Sequence, residues 1–358
     1  MKVKVRPGSI LFVAAALALM LAAPALAGLY IPDAFMPPFL EPEQLSFDLQ
    51  AVHAGAAAGF VADFAETEAE TADEGELDEP TVTVFNVDAG RVMTLGLEEY
   101  LIGVVAGEMP VSFGEEALKA QAVAARSYAI YRISRDSQYI QSHGGAQLCT
   151  DSGHCKAYVT REKLAAKWGE ETADSIFEQV TAAVLATRGE ILTYEGEVAL
   201  AVFHSSSDGV TESAEAVWGR HVPYLVSVET PEETEPQVAV FTRGELVDLL
   251  AADGVKFEDT ALPVLVHDDA GRVASVAFGD VTVPGTRVRE ALGLRSTDFS
   301  LVILDGEYIF TARGYGHGVG MSQYGAAAMA AEGNSYREIL AHYYPGTELV
   351  SLYDYMGG

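Results

Sequence analysis

The first strong pattern of apolar and polar positions begins at Thr81. Thr81-Val82-Thr83-Val84-Phe85 alternates and is rich in β-branched residues, which predicts a half-buried strand. Met93–Leu95 predicts a second strand and Glu98–Val105 a helix. Glu115–Ile133 predicts a long helix, with glutamates at its start, dense alanine after them, and Leu118, Ala122, Ala125 and Ala129 on one face. Residues 136–158 read as a polar loop with glycines, and Ser175–Thr187 as another helix. Glu190–Tyr194, the turn Glu195-Gly196 and Val198–His204 read as a hairpin.

Residues 231–300 change in texture. Gly244–Ala252 predicts a helix, and Leu262–His267 and Arg272–Phe278 flank Asp268-Asp269-Ala270-Gly271, a hairpin signal. Val288–Leu292 continues as a short helix. The stretch reads as a subdomain inserted between two halves of one core. Beyond it come a strand, Tyr308–Thr311, a Gly-rich turn and an Ala-rich helix, Ser322–Ala331. No internal repeat is visible. The expected class is α+β: a mixed sheet with Ala-rich helices, forming a single domain over 81–350 with the insertion at 231–300.

The residues ahead of Thr81 change the picture from fold to location. Lys2, Lys4 and Arg6 precede an apolar run, Ile10–Ala23, then Pro24 and the small-x-small string Ala25-Leu26-Ala27. Residues 1–27 therefore read as a signal peptide, or as an uncleaved signal anchor because apolar character continues through Leu29-Tyr30-Ile31. Both readings place the remainder outside the cytoplasm, either secreted to the cell wall or held at the membrane by this segment. Residues 28–80 contain Pro32, Pro37, Pro38 and Pro42, and Glu66–Glu79 is dominated by acidic residues, Ala and Thr. No Lys or Arg occurs between Gly28 and Gly90. Such a segment reads as a disordered acidic stalk. The net charge of −30 over 358 residues argues against nucleic acid as a partner, since that needs clustered bases.

Several strings carry candidate chemistry. Glu108 lies between Gly107 and Met109, just before Pro110, which turns the chain away from helix. A carboxylate there is either a surface group at a helix end or, if desolvated, a general acid working near neutral pH. Gln121, Arg126 and Tyr128 sit among alanines that let other elements approach closely. Arg126 can bind a sugar oxygen or carboxylate, or form a structural ion pair. His143, Cys149, His154 and Cys155 lie within thirteen positions. They suit tetrahedral Zn2+, while export equally suits a Cys149–Cys155 disulfide. His204-Ser205-Ser206-Ser207-Asp208-Gly209 follows a strand and reads as a polar loop lining a cleft; it lacks the Gly-x-Ser-x-Gly elbow of a serine hydrolase. The string Gly314 to Gly325, which carries His317, Gln323 and Tyr324, allows a bent backbone and close approach of a ligand.

Taken together, the strings resemble the stage II sporulation protein D / amidase-enhancer family. The resemblance rests on Glu99-Tyr100-Leu101 through Glu108-Met109-Pro110, Ala117 through Arg126, Phe203-His204-Ser205-Ser206 and Val217-Trp218-Gly219. It continues through Pro223-Tyr224-Leu225, Arg295 through Phe299, Gly316 through Ala326 and His342-Tyr343-Tyr344-Pro345-Gly346. The family's usual Gly-Gly after the His-Ser string is Asp208-Gly209 here. The resemblance implies a lytic transglycosylase that cleaves peptidoglycan glycan strands between N-acetylmuramic acid and N-acetylglucosamine, leaving 1,6-anhydro ends. It implies strands already stripped of stem peptides by a partner cell-wall amidase. It places the catalytic pair on Glu108 and Arg126. The enclosed polar helix positions and the two polar strings supply the expected substrate contacts: Gln121, Tyr128, His204, Ser205, Ser206, His317, Gln323 and Tyr324. The resemblance also implies structural zinc on His143, Cys149, His154 and Cys155. The other reading that the resemblance offers is a non-catalytic glycan-binding enhancer of an amidase.

Overall fold

The computed structural model describes residues 79–135, 143–257 and 262–357. The signal segment 1–27, the stalk up to residue 78 and the start of the loop at 136–142 lie outside the described residues. The first described residues, Glu79 and Pro80, already take part in the fold. Glu79 Oε1 accepts the Glu98 N–H at 2.8 Å, and the Pro80 carbonyl accepts that of Leu97. Both satisfy amide groups that a helix start leaves without intrahelical partners.

Strands β1 (Thr81–Asn86) and β2 (Arg91–Gly96) pair antiparallel, and the chain runs from β2 directly into helix α1, Leu97–Glu108. Helix α2, Glu115–Arg135, is the axis of the main core. The expected single apolar face is too narrow a description. Ala117, Leu118, Ala120 and every residue from Gln121 to Ala129 are buried. Alanine on all sides lets neighbours close in around the whole helix. Those neighbours include α1, a helix over Glu170–Ala186, the strand Glu190–Tyr194, and the C-terminal helices Gln323–Ala331 and Tyr336–Tyr343. The Glu170–Ala186 helix starts five residues earlier than expected. It follows a helix missed in the sequence, Arg161–Trp168, which Thr160 caps by accepting the Lys163 N–H.

The expected hairpin at 190–204 is shorter in the structure. Within it, just Glu197–Val198 pairs antiparallel with Glu190–Tyr194. Phe203–His204 instead pairs in parallel with Met321–Ser322, which brings the histidine-serine loop against the Gly-rich string. The domain also continues past residue 350, since Glu348–Ser351 pairs with Glu190–Tyr194 and Leu352 is buried beyond it.

A second apolar core is built from residues between Leu246 and Ala312. It holds two three-stranded antiparallel sheets and the helices Arg243–Ala252 and Gly285–Leu292. One sheet orders Phe299–Leu304, Glu307–Ala312 and Gln237–Thr242; the other holds Pro263–His267, Val273–Phe278 and Val281–Pro284. The inserted unit therefore reaches Ala312 rather than residue 300, because Glu307–Ala312 pairs with Gln237–Thr242. Among the described residues, no helix is long and apolar enough to cross a membrane.

Arg126 departs from its expected place in the catalytic pair. Its side chain is 0% exposed and forms an ion pair with Glu98, with Nε and Nη2 reaching the two carboxylate oxygens at 3.0 and 2.5 Å. Nη1 donates to the Glu190 carbonyl, Nη2 also to that of Val184, and the Gly189 N–H donates to Glu98. The guanidinium locks α1 and α2 to the 184–190 turn and does not reach Glu108. Arg126→Met should strand the Glu98 carboxylate and destabilise the fold by about 3–5 kcal/mol. Urea denaturation reads this directly, and an unchanged midpoint would refute the structural role.

Candidate functional site

Glu108 is the last residue of α1, and Met109 leaves the helix in extended conformation before Pro110. The carboxylate is half-buried and accepts the Ala157 N–H at 2.8 Å. Burial raises its pKa, while the Lys156 ammonium, the Ala157 N–H and the Gln323 amide hold the rise in check. No second carboxylate is among the described groups that shift it.

Two glycines make this approach possible. Gly103 and Gly107 lie four residues apart, on one side of α1. A methyl group at Gly103 would stand 2.2 Å from the Tyr158 ring, and one at Gly107 would stand 3.2 Å from the Ala157 carbonyl carbon. The segment Cys155–Val159 can therefore lie directly on the helix, with the Val159 N–H on the Gly103 carbonyl. Lys156, which the sequence reading missed, is carried in with it. Its ammonium lies 3.6 Å from the centre of the Phe203 ring and 4.6 Å from that of Tyr128. Burial lowers the Lys156 pKa and Glu108 opposes that shift. Tyr128 is pushed up to about 12 by burial. Gln323 Nε2 donates to Gln121 Oε1 at 3.3 Å, while the buried Gln121 Nε2 has no hydrogen-bond partner among the described residues.

The histidine-serine loop forms a second wall. His204 Nδ1 lies 3.2 Å from the Val319 carbonyl, which can only accept, so the ring proton sits on Nδ1. Nε2 then accepts from the Ser207 hydroxyl at 2.5 Å. Burial first, and the Arg272 charge second, bring the His204 pKa down to about 3, so the ring stays neutral. Ser207 is 1% exposed, Ser206 is buried in backbone pairing with Tyr315, and the Ser205 carbonyl accepts the Tyr324 N–H. Ser205 and Ser206 thus act here through their backbones, and no hydrogen bond joins either hydroxyl to a base among the described residues. The His317 ring lies between those of His204 and Trp218, with centres 5.6 and 5.4 Å away. Burial lowers its pKa well below the usual value. Tyr324, 36% exposed, packs edge-on against Phe113 at the surface.

Glu232, also missed in the sequence, holds the two strings together. It accepts the Ser207 N–H at 2.8 Å and the Ser322 hydroxyl at 2.5 Å, and it bonds the Thr230 hydroxyl, which meets Tyr343. Gly325 must be glycine here, because a methyl group would lie 2.0 Å from the Tyr343 hydroxyl. From the inserted unit, buried Arg272 donates to the Ser207 and Val210 carbonyls at 3.1 and 3.2 Å. Nothing in the local spacing of Lys156, Ser207 or Glu232 marks them out. Only the resemblance-bearing strings around them could have drawn attention there.

His143, Cys149, His154 and Cys155 converge, their donor atoms all within 4.8 Å of one another. Both cysteines are free thiols. Cys155 Sγ lies 3.5 Å from His143 Nε2 and 3.8 Å from His154 Nδ1, and Cys149 Sγ lies 3.6 Å from His154 Nδ1. These three nitrogen–sulfur separations match the roughly 3.3–3.8 Å of a tetrahedral zinc site, whereas His143 Nε2 and His154 Nδ1, at 2.5 Å, stand closer than two ligands of one ion would. The hydrogen bond between the two thiols lowers the pKa of Cys149 and raises that of Cys155. The donor set fits a metal ion, and Cys155 leads straight into Lys156 and Ala157 at the Glu108 carboxylate.

A family model described as Stage II sporulation protein matches residues 86–194. Stage II sporulation protein D of Bacillus subtilis (strain 168) is 38% identical over 275 residues, covering 75% of this chain and 78% of that protein. The protein of the same name from Bacillus amyloliquefaciens is 38% identical over 272 residues, with the same shares. The amidase enhancer of Bacillus subtilis (strain 168) is 28% identical over 311 residues, covering 70% of this chain and 40% of that protein. With identity at this level sustained over three quarters of its length, the chain belongs to the stage II sporulation protein D family.

Proposed function

We propose that this protein is an extracytoplasmic lytic transglycosylase that cuts peptidoglycan glycan strands, bare of stem peptides, during sporulation or wall remodelling. The observation that carries this reading is Glu108: one half-buried carboxylate with a raised pKa, a fixed N–H donor and no second carboxylate acting on it among the described residues. Hydrolases that use a pair of carboxylates employ the second to activate water or to attack the sugar. Intramolecular cleavage needs neither. The Glu108 acid donates its proton to the glycosidic oxygen as the bond to C1 of the muramic sugar breaks. The resulting carboxylate takes the proton of that sugar's C6 hydroxyl, whose oxygen closes onto C1. The acid is regenerated and the product is a 1,6-anhydro end.

Gln323 and the Ala157 N–H hold the carboxylate in place through the cycle. Neutral His204, His317 and the Trp218 ring supply an uncharged wall for a sugar. Glu108→Gln should abolish release of anhydro sugars from bare strands, read by mass spectrometry; undiminished release would sink the assignment. Because the first step needs the protonated acid, turnover should persist to higher pH than an ordinary glutamate allows, then fall as pH rises through the raised pKa.

We assign the four-residue cluster to structural zinc. Four protein ligands leave no open position, so a bound ion would supply rigidity to the segment that carries Lys156 and Ala157. The purified chain should hold one zinc ion by metal analysis, and His143→Ala should lose it. Chelation should lower the thermal midpoint by several degrees, and a metal-free protein of equal midpoint would overturn the assignment.

The amidase enhancer among the relatives favours a second reading, glycan binding that speeds a partner amidase. It predicts that Glu108→Gln protein still accelerates amidase turnover, whereas the transglycosylase reading predicts loss of strand cleavage in that variant.

A further inference from the structure

The ammonium of Lys156 has surroundings that its role beside Glu108 does not use up. Its chain lies over two aromatic faces, Phe203 and Tyr128, which favour a cation but accept no strong hydrogen bond. It acts on Glu108 through its charge, yet among the described residues no ion-pair contact joins the two. The side chain is half-buried, at the same depth as Glu108. The other polar neighbours of Glu108 are neutral: the Ala157 amide and Gln323, with Gln121 behind it. A cation is thus held over two aromatic rings, in the segment whose next residue binds the reacting carboxylate, and no hydrogen bond to it is found among the described residues.

Resting on the transglycosylase reading, we propose that Lys156 is the specificity determinant of this cleft and binds the lactyl carboxylate of the muramic acid whose glycosidic bond Glu108 cleaves. Substrate chemistry points to this group. Every ring substituent of the strand is a neutral hydroxyl, ether or acetamide except the lactyl group on C3 of muramic acid. That group is one ring-width from C1, as Lys156 neighbours Glu108 without touching it. Its carboxyl group is anionic only when it is free. With a stem peptide attached it is a neutral amide that carries a bulky chain. An amide offers the ammonium no counter-charge, while a free carboxylate offers a charge-assisted bond inside a shielded site. Lys156 therefore makes the enzyme read whether the peptide has been removed. The reaction that must precede it is hydrolysis of the amide between the lactyl group and the peptide.

The test alters the substrate as well as the protein. Strands with free lactyl carboxylates are compared with the same strands converted to lactyl methylamides, using the full chain. Wild-type protein should prefer the free acid by about tenfold or more in kcat/KM, measured as anhydro ends formed. In Lys156→Met the ratio should collapse to within about twofold, and Lys156→Arg should keep most of it. Equal rates on acid and methylamide strands in the wild type would overturn the proposal, as would a full preference in Lys156→Met. Zinc content and thermal midpoint are measured on each variant, and the wild-type ratio decides even if a variant fails to fold. If no strand is cleaved at all, the transglycosylase reading falls separately. Binding of Glu108→Gln protein to the two strands then decides the role of Lys156: tighter binding of the free acid supports it, and equal affinity overturns it.

Discussion

A guanidinium with no access to water must find its whole solvation shell inside the protein, and in this chain Arg126 finds it on three elements at once. Glu98 from the first helix neutralises it, and the carbonyls of Val184 and Glu190 take its remaining protons. Uncompensated, such a charge would cost several kcal/mol. The helix that ends in Glu108 is thereby fixed to the alanine-rich helix through a point ten residues upstream of the carboxylate. The direction in which the first helix delivers Glu108 depends on that pair, although the pair stands away from the cleft.

The surroundings of Glu108 are assembled from two parts of the chain far apart in sequence. One half is the end of the first helix together with the cysteine-histidine loop. The other is the histidine-serine loop laid parallel to the Gly-rich string through Phe203–His204 and Met321–Ser322. Glu232 fastens the second half by taking hydrogen bonds from Ser207 and Ser322. The inserted unit contributes Arg272 behind the same loop. Gln323 joins the halves, since it reaches Gln121 and Glu108 from the start of its own helix. The inserted unit is therefore tied to the cleft wall as well as to its own core.

Much of this was legible in the chain. Alternation at 81–85, alanine density at 115–133 and the turn before Pro110 gave elements at nearly their observed positions, because each is a local property. The long helix was misjudged only in how much of it is buried, since burial depends on what surrounds it. Val198–His204 was read as one strand because a buried apolar run carries no periodicity to show where pairing changes partners. The insertion was closed at residue 300 because Glu307–Ala312 pairs with a strand about seventy residues earlier, and no local pattern records that. His143, Cys149, His154 and Cys155 came together as their types suggested, and Glu108, Gln121, Tyr128 and Gln323 share one neighbourhood. The structural ion pair of Arg126 was one of two readings the sequence left open, because a buried arginine in an alanine helix looks the same whether its carboxylate partner is structural or catalytic. Lys156 and Glu232 were missed because what makes them notable is tertiary: two aromatic rings in one case, two distant hydroxyl and amide donors in the other.

Gly103 and Gly107 have a consequence for how the protein can vary. The gap between the first helix and the segment bearing Lys156 and Ala157 is no wider than hydrogen atoms allow. Each larger side chain at Gly103 would have to displace the Tyr158 ring, and the backbone that holds the carboxylate would move with it. The helix surface there works as a mould whose shape is an absence of side chains. At Gly103 the seam admits no added atom unless the Tyr158 ring moves, and at Gly107 it admits one only if the Ala157 backbone gives way slightly.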